Sequence, residues 1–140
     1  PAQRLLGGLC NVRLLPPQPY LEFVHLMASA SAILTDSGGI QEEAPSLGIP
    51  VLVARDVTER PEGIAAGMNR LVGTQAESIE RELLRALAAP ACARGPLPRP
   101  NPYGDGHAAA RIRQAIVHRL AAGDLPEPFQ PDLALAAASH

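Results

Sequence analysis

The sequence predicts an α/β fold with a parallel sheet, and three observations carry that prediction. Ala32–Thr35 and Val51–Ala54 are short, continuously apolar runs with the β-branched character of buried strands. Between them, Ile40, Ala44 and Leu47 recur at i, i+4 and i+7, which is one face of a helix. A helix between two strands is the crossover that parallel strands require. Further strand-like runs at Asn11–Leu15 and Asn69–Val72 alternate with helical segments, so the order of elements is that of an α/β sheet.

Composition bounds the rest. A chain of 140 residues that is 46% hydrophobic can bury one sizeable core, and residues 1–122 read as one domain. Residues 123–140, proline-rich and then alanine-rich, read as a loose, disordered tail. A net charge of −2 without basic clusters argues against nucleic acid or a membrane surface as partner. No apolar run approaches the ~20 residues of a membrane span, and no signal-peptide pattern opens the sequence. Cys10 and Cys92 lack metal-ligand spacing and do not form a disulfide framework, so a cytoplasmic setting is expected. All twelve basic residues are arginine, which excludes lysine-dependent chemistry from this chain.

Taken in order, Arg4-Leu5-Leu6 before Gly7-Gly8 reads as the end of a helix that began earlier. Asn11–Leu15 reads as a strand stopped by Pro16-Pro17-Gln18-Pro19. Tyr20–Ala30 is a helix apolar nearly all round, a pattern that predicts burial, with His25 read as packed or partly exposed and not as a catalyst. The turn Asp36–Gly39 opens the central helix, and Gly48 with Ile49-Pro50 closes it. Pro61 at a first helical position and Gly67 past an end bracket a helix over Pro61–Ala66. Thr74-Gln75-Ala76-Glu77 is a capping box before a helix whose inward face is Ile79, Leu83, Ala86 and Leu87. Its charges, Glu80, Arg81, Glu82 and Arg85, read as a solvated surface with i,i+4 pairs. Prolines punctuate the chain from Ala89 to Pro102. Asn101–Gly106 is an architectural turn in which Asp105 caps and the glycines supply unusual backbone angles. It leads into a helix over Ala108–Leu120, with Ile112, Ala115, Ile116 and Leu120 inward. His107 and His118 are left unassigned.

The chemistry concentrates at the central turn. The first N–H groups of a helix lack intrahelical partners and lie at the positive end of its dipole. Gly38 and Gly39 have no Cβ, so a bulky anion can approach that backbone, and Ser37 can cap the helix or offer its hydroxyl to the same anion. With Ile40 centred inward, Glu42 lies near the outward side and Glu43 on the flank, about where the ribose of a bound nucleotide would present its hydroxyls. The same residues also suit an ordinary strand-to-helix turn with first-turn charge compensation, and the spacing leaves both open. The charged loop Arg55–Arg60 falls at the carboxyl end of Val51–Ala54, the edge where α/β sheets bind ligands. Solvated salt bridges are the alternative there.

The longer string, TDSGGIQEEAPSLGIPVL followed by RDVTERPE and later by NPYGDG, resembles the non-hydrolysing UDP-N-acetylglucosamine 2-epimerases over about residues 4–120. The resemblance implies a Rossmann-like domain, most of the second domain of a two-domain GT-B architecture, truncated at its start. It implies interconversion of UDP-N-acetylglucosamine and UDP-N-acetylmannosamine by elimination and re-addition of UDP. By the same resemblance Gln18 and Phe23 hold the uracil, and Ser37, Gly38 and Gly39 hold the diphosphate. Glu43 takes the ribose and Arg60 completes the site on the cleft side. It implies no cofactor or metal, a UDP-sugar as substrate, and the missing N-terminal domain and a second copy of the chain as partners. It implies no catalytic residue in this chain, because the family's acid–base carboxylates map to the other half. Pro19 departs from the acidic residue of many relatives, and the proline-rich stretch lacks their short helix. Two alternatives stay open: a fragment of a GT-B glycosyltransferase, and a truncated UDP-binding domain without catalysis.

Overall fold

The computed structural model describes residues 2–88, 101–121 and 125–130. Its centre is a three-stranded sheet of β1 (Ile33–Thr35), β2 (Val51–Val53) and β3 (Asn69–Leu71), in that spatial order. Both pairings are parallel: Thr35 lies opposite Val53, and Val53 opposite Leu71. All three strands therefore end at one edge, from which the loops that follow them emerge. The helices are α1 (Ala2–Leu6), α2 (Tyr20–Ser29), α3 (Gly38–Glu43), α4 (Pro61–Ala65), α5 (Ala76–Ala88) and α6 (Ala108–Ala121). The α/β class with a parallel sheet is the one the periodicities predict.

β2 is central, and all three of its residues are buried. Val51 and Val53 form the core with Met27 and Ala44, and Val24, Ile33, Ile40, Leu47 and Leu71 pack against them. β-branched side chains suit this position because they fill a pleated surface closed on both faces. After α3 the chain tightens into a 3-10 turn over Ala44–Leu47, which ends at Gly48 with φ 71. That left-handed angle is why glycine stands there. Pro61 opens α4 and Gly67, also left-handed at φ 67, follows it, as their positions predict.

Several expectations need correction. Asn11–Leu15 forms no strand; Val12 N–H closes a turn on the Leu9 carbonyl at 3.1 Å, and Leu14 and Leu15 lie exposed. The adjacent prolines remove backbone donors, and no described strand lies beside the run. α2 is not buried all round: only Met27 is buried, and Leu21 is 78% exposed. α6 buries no residue, and its predicted inward Ile112, Ile116 and Leu120 are exposed. Periodicity identified an apolar face that nothing among the described residues covers. α5 starts at Ala76, two residues after Thr74. Glu82 is not solvated but buried, receiving Arg70 at 2.6 Å and Arg85 at 3.0 Å. Arg70 comes from β3, so tertiary packing, which helical spacing cannot reveal, makes this cluster. The Arg70 hydrogen bond is the main cause that lowers the Glu82 pKa, with Arg85 and Arg81 adding to it.

The Asn101–Gly106 turn is architectural, as its residues predict. Asn101 Nδ2 donates to Ser46 Oγ at 2.8 Å, and Gly106 has φ 83. Asp105 accepts the His107 N–H at 3.0 Å and binds both terminal nitrogens of Arg111 at 2.7 Å. Arg111 also donates through Nε to the Glu127 carbonyl at 3.0 Å and lies 5.9 Å from the Phe129 ring centroid. This portion of the expected tail is thus held against α6. Residues 89–100, with their prolines and Cys92, and residues 131–140 lie outside the described residues. No described helix is long and apolar enough to cross a membrane.

Candidate functional site

The carboxyl edge of the sheet brings two loops together. Thr35 ends β1, and its hydroxyl accepts the Ser37 N–H at 3.0 Å, which turns the chain into α3. Ser37 is the N-cap residue, with extended φ −78, yet its side chain makes no bond to the helix. Gly38 and Gly39 are the first two residues of α3, where N–H groups have no partner within the helix. The space above them is open. A β-carbon on Gly38 would find only Arg60 Nη2, at 3.9 Å, and one on Gly39 only Ser37 Oγ, at 4.0 Å. Either glycine could carry a side chain without a clash in the fold, so the opening is available to a ligand.

Arg60 reaches this place from the loop after β2, standing as the N-cap of α4. Its Nε donates to the Glu42 carboxylate, and Nη1 donates to the Glu59 carbonyl at 3.2 Å. The hydrogen bond and charge of Glu42 raise the Arg60 pKa further, so the guanidinium stays cationic. Glu42 therefore does not face outward as the placement of Ile40 predicts; it is half-buried against Arg60. The predicted face of Ile40, Ala44 and Leu47 does turn to the core, with Ala44 buried and the other two packed against it, and Gln41 and Pro45 are buried beside it. The Glu59 carboxylate pairs with Arg55 at 3.2 Å.

Glu43 ends α3, exposed and facing the Tyr20 hydroxyl of α2, whose pKa it raises by hydrogen bonding and charge. A hollow of about 230 Å³ lies between these elements, lined by Tyr20, Val24, Met27, Glu43, Ser46 and Leu47. Gln18 is elsewhere: its side-chain amide donates to the Pro16 carbonyl at 2.7 Å. With Leu15, Leu21 and His25 it lines a hollow of about 410 Å³ on the opposite face of α2. Phe23 is 36% exposed on α2 and lines neither hollow. The structure thus gathers Ser37, Gly38, Gly39 and Arg60, sets Glu43 one helix-length further on, and leaves Gln18 and Phe23 apart. Among the described residues no three His, Cys, Asp or Glu side chains converge as metal ligands.

Four residues at or beside this site carry weak sequence signals. Gln41 is polar on a helix side that is otherwise apolar, which is the one sign of its burial. Thr58 and Glu42 are ordinary members of charged or polar runs, and Tyr20 reads simply as the first residue of α2.

A sequence profile of the family described as UDP-N-acetylglucosamine 2-epimerase matches residues 2–117. An Escherichia coli K12 UDP-N-acetylglucosamine 2-epimerase is 55% identical over 116 residues, covering 83% of this chain and 31% of that protein. The probable UDP-N-acetylglucosamine 2-epimerase of Ralstonia solanacearum is 53% identical over the same shares. Among solved structures, the S. aureus MnaA–UDP co-structure is 38% identical with a TM-score of 0.82, over 92% of this chain and 36% of that one. The Neisseria meningitidis UDP-GlcNAc 2-epimerase bound to UDP-GlcNAc is 48% identical with a TM-score of 0.70, over 82% and 32%. The chain spans about 31% of the length of the curated relatives it matches.

Proposed function

Because this chain belongs to the UDP-N-acetylglucosamine 2-epimerase family, we propose that it is the UDP-holding part of an enzyme that interconverts UDP-N-acetylglucosamine and UDP-N-acetylmannosamine in the cytoplasm. The reaction inverts C2 of the sugar. A base removes the C2 proton as the C1–O bond to UDP breaks, leaving a glycal and free UDP. UDP then adds back at C1 while a proton is delivered to the opposite face of C2. UDP is leaving group and returning nucleophile, so donors that stabilise its developing charge lower both barriers. Ser37, Gly38, Gly39 and Arg60 hold the diphosphate, Glu43 accepts from the ribose hydroxyls, and Phe23 with the chain at Gln18 holds the base. Proton transfer on both faces needs two opposed groups, whereas Glu59 and Glu62 lie on one loop and helix start. The acid and base therefore belong to another portion of the enzyme, which closes over the sugar.

The observation that carries this reading is the convergence of Arg60 Nη2 on the open glycine turn, from two loops at one sheet edge. Calorimetric titration of UDP into the wild-type chain and Glu43→Ala tests it. Loss of a charge-assisted hydrogen bond, about 1.5–3 kcal/mol, predicts a roughly ten- to hundredfold weaker complex. Wild-type protein without UDP affinity, or equal affinity in the variant, contradicts the reading.

A further inference from the structure

The two loops of the proposed UDP site are joined beneath the surface by a chain of hydrogen bonds. Gln41, with no exposed surface, donates from Nε2 to the Ser37 carbonyl at 3.3 Å, the same oxygen its own N–H reaches at 3.3 Å. Its Oε1 accepts the Thr58 hydroxyl at 2.6 Å. The Thr58 oxygen accepts the Arg60 N–H at 3.1 Å. Asn69 Nδ2, from β3, donates to the backbone carbonyl of Gln41 at 2.9 Å and ties this turn of α3 to the sheet. The path Ser37–Gln41–Thr58–Arg60 therefore has a proposed phosphate-binding residue at each end.

Donor and acceptor accounting gives this path a direction. A hydroxyl has one proton, and Thr58 spends it on Gln41, so its lone pairs alone can face the Arg60 N–H. A carboxylate in place of Gln41 would turn an acceptor toward the Ser37 carbonyl, and valine in place of Thr58 would leave a buried acceptor unpaired. The other link between the loops, Glu42 with Arg60, is half-exposed, and such pairs constrain geometry weakly and are screened by salt. Hydrogen bonds made by a fully buried side chain such as Gln41 instead select one arrangement.

We propose that Gln41 and Thr58 are positioning residues, which fix the Ser37–Gly39 turn and Arg60 at the separation that a nucleoside diphosphate requires. Neither touches the ligand; they act through the residues that do. The inference rests on the reading of this edge as a UDP site and adds the element that sets its spacing.

The test compares UDP with uridine, which lacks the phosphates, in calorimetric titrations of wild type, Thr58→Val, Thr58→Ser, Arg60→Gln and the Thr58→Val/Arg60→Gln double variant. Thr58→Val weakens UDP about tenfold and leaves uridine affinity within about twofold. Thr58→Ser, which keeps the hydroxyl, restores UDP binding. In the Arg60→Gln background, Thr58→Val has little further effect, because coupled residues are non-additive. Thr58→Ala, which removes the hydroxyl without added bulk, carries the same comparison if the valine protein does not melt cooperatively. Wild type that binds UDP together with a folded Thr58→Val or Thr58→Ala that binds it equally well overturns this inference alone. So does an equal loss for UDP and uridine, which would mark a purely structural role. Wild type that fails to bind UDP overturns the functional reading and this inference with it.

Discussion

Gly39 separates what the fold needs from what the ligand needs. Its φ is ordinary for a helix start, and a β-carbon there meets only Ser37 Oγ at 4.0 Å. The fold therefore tolerates a side chain that a diphosphate bound as proposed would not. Gly39→Val is expected to melt within about 1 kcal/mol of wild type, as open surface substitutions do. Its UDP affinity should fall at least tenfold while uridine binding survives. A valine protein that binds UDP normally would remove the glycine turn from the site. The glycine turn and the charged loop at the sheet edge were legible in the sequence, but their spacing also suited an ordinary turn and a salt-bridge loop. It was the resemblance that pointed to Ser37, Gly38, Gly39 and Arg60 as a site. The partner of Arg60 was not legible. Glu42 stands eighteen positions away, and only the meeting of α3 with the loop after β2 shows that its carboxylate holds the guanidinium.

The elements differ in how far their neighbours can be read from pattern. β2 is closed on both faces, so its apolar run sufficed to place it in the core. Val53→Ala should cost about 2–3 kcal/mol, measured by chemical unfolding, because Val53 has no exposed surface and the sheet cannot collapse around it. A loss below about 0.5 kcal/mol would mean that this side chain is not a core position. α5 shows the opposite case. Its charges read as solvent-facing, but Arg70 on β3 reaches across to Glu82. Asp105, bound by Arg111, is likewise held well below the usual carboxylate range. A carboxylate whose pKa is lower folded than unfolded stabilises the fold above its unfolded value and loses that contribution as pH falls toward the folded one. Stability should accordingly decline as pH drops below about 4.5, and Glu82→Gln should flatten part of that decline. A pH profile identical to wild type in Glu82→Gln would contradict the assignment. The faces of α2 and α6 and the run Asn11–Leu15 were misread for one reason. Periodicity shows that an apolar face exists, whereas burial depends on what packs against it.

For the molecule as a whole, the parallel sheet is what brings the candidate site together: it delivers the ends of β1 and β2 to one edge, where the loops after them meet. The class of fold and this edge follow from the order of elements; the buried joint between the loops does not, because it depends on side-chain rotamers at Gln41 and Thr58. At this scale the separation of binding from proton transfer predicts that the chain by itself incorporates no deuterium at C2 of UDP-N-acetylglucosamine in heavy water, followed by mass spectrometry. Incorporation would place the acid and base here. The central claim, that the turn at Gly38 and Gly39 together with Arg60 receives a diphosphate, is tested most directly by amide chemical shifts of the isotope-labelled chain during titration. The Gly38 and Gly39 resonances should move saturably with UDP and hardly with uridine. Saturable UDP binding that leaves both amides unmoved would contradict the claim.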